Sequence, residues 1–335
     1  MSKVFENNSA KCKAAALLIM PRFFGYEELI SRELNKHYAK VFLVYENLEE
    51  FSMLSRRAKS THSGLWHIIT HNHYQKAISE INDAVKQVLI IRGSSLDEPL
   101  MLALRKAFPD AKFTVYQWDG AENVPNSTML AEHCDLASSF DPSDSIKYGW
   151  KYRPLFYVDD SICEKTIDIS FLGSLHSKRS EIQNLLNVQA GSDGLNVYTY
   201  LYTKPLIYFK NRWITPKDEF KSLSGISDVR FTPLSLSNTQ RILAKTKVVV
   251  DFGHPNQTGF TLRTIECMAH GCKLVTNNQA IAFADFYNSD NISIYDGTFP
   301  GIDKCFLEDP FSAVPSSIKS RYSISSWLSD LLVAD

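Results

Sequence analysis

Residues 247–278 read KVVVDFGHPNQTGFTLRTIECMAHGCKLVTNN. Val248 to Phe252 is apolar except for Asp251, and a valine-rich run of that length predicts a strand covered on both faces, as in a parallel sheet. Gly253, Pro255, Asn256 and Gly259 then mark a loop. Leu262, Ile265 and Ala269 recur at helical spacing until Gly271 ends the helix, and Lys273 to Thr276 forms a second strand. The stretch is a βαβ unit. Its loop lies beyond the carboxyl end of a strand and at a helix N-terminus, where open α/β sheets bind ligands.

That loop has a readable chemistry. Thr258, Gly259 and Thr261 open the helix, where unpaired backbone N–H groups and the positive end of the dipole favour a phosphate. Glu266 follows Arg263 by three residues, so both share one helix face. An ionised carboxylate only accepts hydrogen bonds, which suits it to the paired hydroxyls of a ribose, while Arg263 suits a diphosphate. The competing reading is an ordinary i,i+3 surface pair worth roughly 0.2–0.5 kcal/mol, with Thr258 as a capping residue.

Outward from this unit the same alternation recurs. In the first half, strands are expected at Ala14–Met20, Val41–Tyr45, Val88–Ile91, Phe113–Trp118 and Leu136–Phe140. Helices are expected from Tyr26 through Tyr38, from Tyr74 to Lys86, and along Leu100, Leu104 and Phe108, with residues 1–12 frayed and 52–63 an exposed connection. In the second half, Ile167–Leu172, Val197–Tyr202, Val229–Thr232 and Ile292–Tyr295 read as strands, and Ser177–Leu186 and Asn238–Lys245 as helices. Around Tyr152–Val158 the pattern becomes extended and proline-interrupted. The expected domains are therefore 13–155 and 156–312, both Rossmann-like, with 313–335 as a terminal helical segment.

Composition narrows the function classes. The 335 residues are 44% hydrophobic, enough for two packed cores, and the formal net charge of −1 provides no general field for nucleic acid. The six cysteines form no CxxC pair and read as buried reduced thiols in a cytoplasmic protein. No apolar run approaches the roughly eighteen residues that cross a bilayer, so membrane association is expected to be at most peripheral. His71, Asn72 and His73 superficially match an HNH nuclease motif, but neither the partner spacing nor a basic surface accompanies them.

The stretch TGFTLRTIECMAHGCKLVTNN resembles the donor-binding corner of GT-B glycosyltransferases, in which a helix glutamate holds the nucleotide ribose. RFFGYE at 22–27, YQWD at 116–119, FDPSDSIKYGWKYRPLFY at 140–157, DISFLGSLHSKR at 168–179 and HPNQTG at 254–259 extend the resemblance to CgeB-like bacterial glycosyltransferases associated with lipopolysaccharide and capsule synthesis. It implies two Rossmann-like domains facing across a cleft, with the last helix returning to the first domain. It also implies a sugar moved from a nucleotide-sugar donor to a glycan or lipid-linked glycan acceptor at the inner face of a membrane. One departure stands out. The better-known retaining family carries a second glutamate where this chain has Thr258, so no catalytic role transfers to that position.

Further candidates follow from strand ends. Gly173, His176 and Arg179 lie where the first strand of the second domain turns into its helix, a clamp for a diphosphate or an ordinary turn with solvated cations. Phe231 and Pro233 end another strand, where the resemblance to GT-B proteins implies a nucleobase contact and a plain strand-end turn is the alternative. Asp119 and Glu27 are candidate bases for the acceptor hydroxyl, or else turn and cap residues, and His254 is a candidate contact to diphosphate or sugar from the organising loop, or else a loop histidine bonded to backbone. No D-x-D triplet stands near a strand end, so the reading requires no metal and no cofactor beyond the co-substrate. Two alternatives remain: a GT-B-like transferase of a non-sugar group, and a non-catalytic nucleotide-binding scaffold. Glu266 is expected beside solvent, with little bearing on stability.

Overall fold

The computed structural model describes residues 2–7, 12–46, 63–175, 178–221, 223, 225, 229–253, 258–295 and 299–333. The chain divides into two compact units, Met1–Leu155 with Ile324–Asp335, and Phe156–Ser323.

The first unit is built on strands Ser2–Glu6 (β1), Cys12–Met20 (β2), Tyr38–Tyr45 (β3), Val85–Ile91 (β4), Lys112–Gln117 (β5), Leu136–Ser139 (β6) and Lys151–Tyr152 (β7). They lie in the order β1-β3-β2-β4-β5-β6-β7. Every pair is parallel except β1 with β3. The crossovers run through helices Tyr26–Leu34 (α1), Ser63–Glu80 (α2), Glu98–Ala107 (α3), Ser127–Glu132 (α4) and Pro142–Tyr148 (α5). Alternation splits the core: Leu17, Ile19, Val88, Ile90, Phe113 and Val115 join Tyr74 of α2 and Leu100 and Leu104 of α3.

The second unit carries Ile167–Ser174 (β8), Val197–Tyr202 (β9), Thr246–Asp251 (β10), Lys273–Thr276 (β11) and Ile292–Ile294 (β12), all parallel, in the order β12-β11-β10-β8-β9. Its helices are Arg179–Asp193 (α6), Pro205–Phe209 (α7), Asp218–Lys221 (α8), Leu236–Ala244 (α9), Leu262–Ala269 (α10), Lys304–Glu308 (α11) and Ser316–Lys319 (α12). The chain first adds β9 to one side of β8 and then β10 to the other, so the winding reverses between β8 and β10. Ligands of doubly wound sheets bind beyond the strand ends at such a reversal.

The last helix, Ile324–Leu331 (α13), belongs to the first unit. Trp327 is fully buried edge-on to Tyr116, at 5.1 Å between ring centres, and Thr114 Oγ1 donates to Leu331 O at 2.8 Å. Thr114 and Tyr116 alternate with the core residues Phe113 and Val115, so α13 covers the other face of β5.

Several expectations are corrected. Residues Ser2–Glu6 pair in register with Lys40–Val44 instead of fraying, because an edge strand is held by backbone bonds that polar side chains do not prevent. Tyr38 opens β3 rather than closing α1, since Asn35 caps the helix and its side chain bonds the carbonyls of Tyr38 and Ala39. The helix expected to begin at Tyr74 already runs from Ser63, and it stops at Glu80, leaving Lys86 to β4. Val229–Thr232 makes only a single bridge, between Arg230 and Tyr202. Cys163 and Cys305 are exposed rather than buried. Most of the expected connection 52–63 lies outside the described residues.

Candidate functional site

The helix α10 is fixed at both ends by its own sequence. Thr261 sits in extended backbone and its hydroxyl accepts from Thr264 N at 3.1 Å, which caps the N-terminus. At the other end Gly271 takes φ +63°, Cys272 N donates to Cys267 O and Gly271 N to Met268 O, the paired bonds of a Schellman ending. The connection from β10 is fastened on both sides. Gly253 N donates to Asn277 Oδ1 at 3.0 Å, and Asn278 Nδ2 donates to the carbonyls of Thr258 and Gly259. His254 and His176 lie outside the described residues.

At the reversal between β8 and β10 the structure gathers charge. Arg179, the first residue of α6, donates from Nη2 to Phe252 O at 2.7 Å and from Nη1 to Ser174 O at 3.2 Å, bridging the ends of both strands. Its Nη2 lies 4.0 Å from Asp251 Oδ1, and Asp251 Oδ2 accepts from Thr261 Oγ1 at 2.5 Å. Asp251 thus joins the guanidinium to the cap of α10. Burial lowers the basicity of Arg179, with Asp251 opposing the shift and the neighbouring Arg263 reinforcing it. Gly173 explains how the guanidinium fits, for a β-carbon there would lie 2.1 Å from Arg179 Nη1.

Glu266 lies deeper than its sequence position implied. It is 1% exposed, accepts from Arg263 Nη1 at 2.8 Å and from Gln240 Nε2 at 2.6 Å, and so is no solvent-facing carboxylate. The reason is α9: its Gln240 reaches across to Glu266, while His270 Nε2 lies 2.5 Å from Gln240 Oε1 and His270 Nδ1 lies 2.7 Å from Ser161 O. Gln240, His270, Asn277 and Asn278 escaped the sequence reading. Only the run TNN after β11, a cluster of turn-forming side chains at a strand end, offered a signal. Phe231 is half-buried against Tyr208 and Phe209, and Pro233 is exposed beside it.

The first unit gathers a second group at its own strand ends. Arg92, immediately after β4, adopts φ +70°, a left-handed conformation uncommon for a side-chain-bearing residue. Its Nε lies 3.3 Å from Asp119 Oδ2, and its Nη1 lies 3.8 Å from Glu46 Oε1, just after β3. Ser94 Oγ donates to the same Glu46 oxygen at 3.2 Å, while Glu46 Oε2 is buried without a hydrogen-bond partner. Burial pushes the Glu46 carboxyl up to about 7, against the opposing pull of Arg92. Asp119 is also raised by burial, with Arg92 opposing, although 40% of its side chain remains exposed. Glu46 and Arg92 were absent from the sequence candidates because a single charged residue after a strand carries no periodic signal.

Glu27 is occupied otherwise. Its Oε2 accepts from the backbone N–H groups of Phe23 and Gly25, both at 3.1 Å, so it holds the turn before α1. That turn carries Phe24 at φ +50° and Gly25 at φ +93°, and presents Phe23 to Trp118 at 5.0 Å. Among the described residues one group has metal-ligand character: His67, His71 and Asp97. Asp97 Oδ1 caps α3 through Leu100 N, and its Oδ2 lies 2.7 Å from His71 Nε2. That separation fits a hydrogen bond, whereas two ligands of a tetrahedral zinc ion with bonds of about 2.0–2.1 Å stand roughly 3.3 Å apart.

No protein-family model matches the chain, and no curated protein matches its sequence. Solved structures do match its fold. A glycosyltransferase from Rickettsia africae ESF-5 aligns over 95% of this chain and 96% of its own, with TM-score 0.55 and 11% identity. Anabaena HepE, in a structure with UDP and glucose, aligns over 94% and 97% with TM-score 0.53 and 12% identity. The same protein with UDP-glucose gives 0.51 at 10% identity, over 94% and 98% of the chains. The chain therefore has the GT-B type of fold, with two Rossmann-like α/β units.

Proposed function

We propose that the protein is a glycosyltransferase that moves a sugar from a nucleotide-sugar donor to a cell-surface glycan, in the manner of the CgeB-like enzymes its motifs resemble. One observation carries this reading: Arg179, Asp251 and the capped N-terminus of α10 meet at the winding reversal of the second unit. Arg263 and Glu266 follow on the same helix. Guanidinium groups and a helix N-terminus suit a diphosphate, while Glu266, buried against Arg263 and Gln240, would meet ribose hydroxyls by exchanging one of those bonds. HepE, a neighbour in fold, has been solved with UDP-glucose, which makes uridine nucleotides the first donors to test.

In the transfer, an acceptor hydroxyl attacks the anomeric carbon, the bond from that carbon to the diphosphate breaks, and the hydroxyl proton passes to a base. The leaving diphosphate gains charge as it departs. Arg179, Arg263 and the α10 N-terminus are placed to stabilise it, and this reading requires no metal. Asp119, the more reachable member of the Glu46–Arg92–Asp119 group, is the proposed base, with Glu46 a positioning residue acting through Arg92.

Calorimetric titration with a panel of nucleotide sugars tests the proposal, comparing wild type with Arg179→Ala. Wild type should bind at least one donor, and the variant should bind it roughly ten- to a hundredfold more weakly. Absence of binding to every donor by the folded wild type would refute the reading.

A further inference from the structure

The segment Lys204–Lys217 reads KPLIYFKNRWITPK, with four cations and no carboxylate. It folds as α7 followed by a π-turn, Lys210–Ile214. One side is anchored firmly. Tyr208 is 1% exposed and packs against Phe220 and Phe231, while Arg212 Nη1 donates to the carbonyls of Phe220 and Leu223. Thr215 N and Lys217 N close the turn on Lys210 O and Asn211 O.

This anchoring drives the other side outward. Leu206 is 79% exposed, Ile207 and Phe209 each 46%, Trp213 68% and Ile214 75%. Five large apolar side chains within nine positions are far more than the scattered single exposures normal for a soluble surface. Turning them inward would require releasing Tyr208 and Arg212. Around them Lys204, Lys210 and Lys217 are exposed. Apolar side chains with an interfacial tryptophan, among four cations and ahead of the two acids Asp218 and Glu219, leave the segment net basic and match the boundary of an anionic bilayer: the apolar groups enter the acyl edge while ammonium groups meet lipid phosphates. A protein partner would need to offer both an apolar patch and compensating carboxylates.

We propose that this segment docks the second unit onto the surface of an anionic phospholipid bilayer. The contact is peripheral, and no described helix is long and apolar enough to cross a membrane. The inference is independent of the sugar-transfer reading, because it rests on a different face of chemistry and a different readout.

The test is vesicle flotation of the full chain with phosphatidylcholine alone and with phosphatidylcholine mixed with phosphatidylglycerol. Wild type should float with the anionic vesicles, weakly with the neutral ones, and less as salt rises. Trp213→Ser with Ile214→Ser, and separately Lys204→Glu with Lys210→Glu, should each reduce partitioning at least about tenfold, with thermal unfolding unchanged. Hydrogen exchange needs no variant: amides of 205–217 should gain protection on adding anionic vesicles. Equal flotation with both vesicle types, unaltered partitioning of folded variants, absence of protection, or a dimer abolished by Trp213→Ser would each overturn the proposal.

Discussion

At the scale of single residues, the structural task of Glu266 can be separated from the ribose contact proposed for it. Removing its side chain leaves Arg263 and Gln240 without their buried acceptor, and breaking a buried pair from one side costs about 3–5 kcal/mol. Glu266→Ala is therefore expected to lower the urea midpoint substantially. Glu266→Gln keeps the shape and costs less, about 1–3 kcal/mol. On folded Glu266→Gln protein, donor affinity should fall roughly tenfold or more; unchanged affinity would assign Glu266 to structure alone.

Glu46 makes a prediction about pH. Its carboxyl moves from an ordinary 4.5 to about 7 because folding buries it, so the folded state holds its proton more tightly than the unfolded chain does. Its contribution therefore favours folding at low pH and fades as pH rises from about 4.5 to about 7. The full change is about 3 kcal/mol, since a tenfold change in proton affinity is about 1.4 kcal/mol. Glu46→Gln removes this slope, and above pH 7 the variant should unfold at higher denaturant than wild type. If Glu46 positions Arg92, the same variant should also lose turnover and shift the pH–rate profile, with donor binding retained.

At the scale of elements, α10 depends on Thr261 twice, for its cap and for its link to Asp251. Thr261→Val preserves volume but deletes both bonds, at an expected cost of about 1–3 kcal/mol. Donor affinity should fall with it, because a frayed first turn no longer presents its N–H groups together. Denaturation and calorimetry on the same preparation measure both effects. Most of this element was legible in advance: Gly271 marked its end because a left-handed residue there is easiest for glycine, and the apolar spacing marked its buried face. Tyr38 was misplaced because an aromatic residue fits a helix face and a strand equally well, and only the cap at Asn35 separates them.

At the scale of the whole molecule, the first unit is completed by residues from the far end of the chain. Arg153 Nε lies 2.9 Å from Asp330 Oδ2, Ser325 Oγ donates to Glu33 Oε1 at 2.6 Å, and Trp327 is fully buried. Truncation after Ser323 should destabilise the first unit by more than the 3–5 kcal/mol typical of losing one buried aromatic, while the second unit keeps its own stability. Hydrogen exchange followed separately in β2–β5 and β8–β11 measures the difference; equal loss of protection in both would contradict it.

The sequence by itself determined the alternation of strands and helices, the βαβ unit at 247–278 and the α/β class, because these follow from local periodicity and turn chemistry. It also placed Arg179 and Thr261 at helix starts and Glu266 on the helix that follows, sharing a face with Arg263. Only the tertiary structure decided what those side chains meet. Asp251 links Arg179 to Thr261, Gln240 buries Glu266, and Arg92 draws Glu46 toward Asp119, across sequence separations that no local pattern encodes. Burial and pairing depend on which elements become neighbours, and that is fixed by the packing of the sheet rather than by any one stretch of chain.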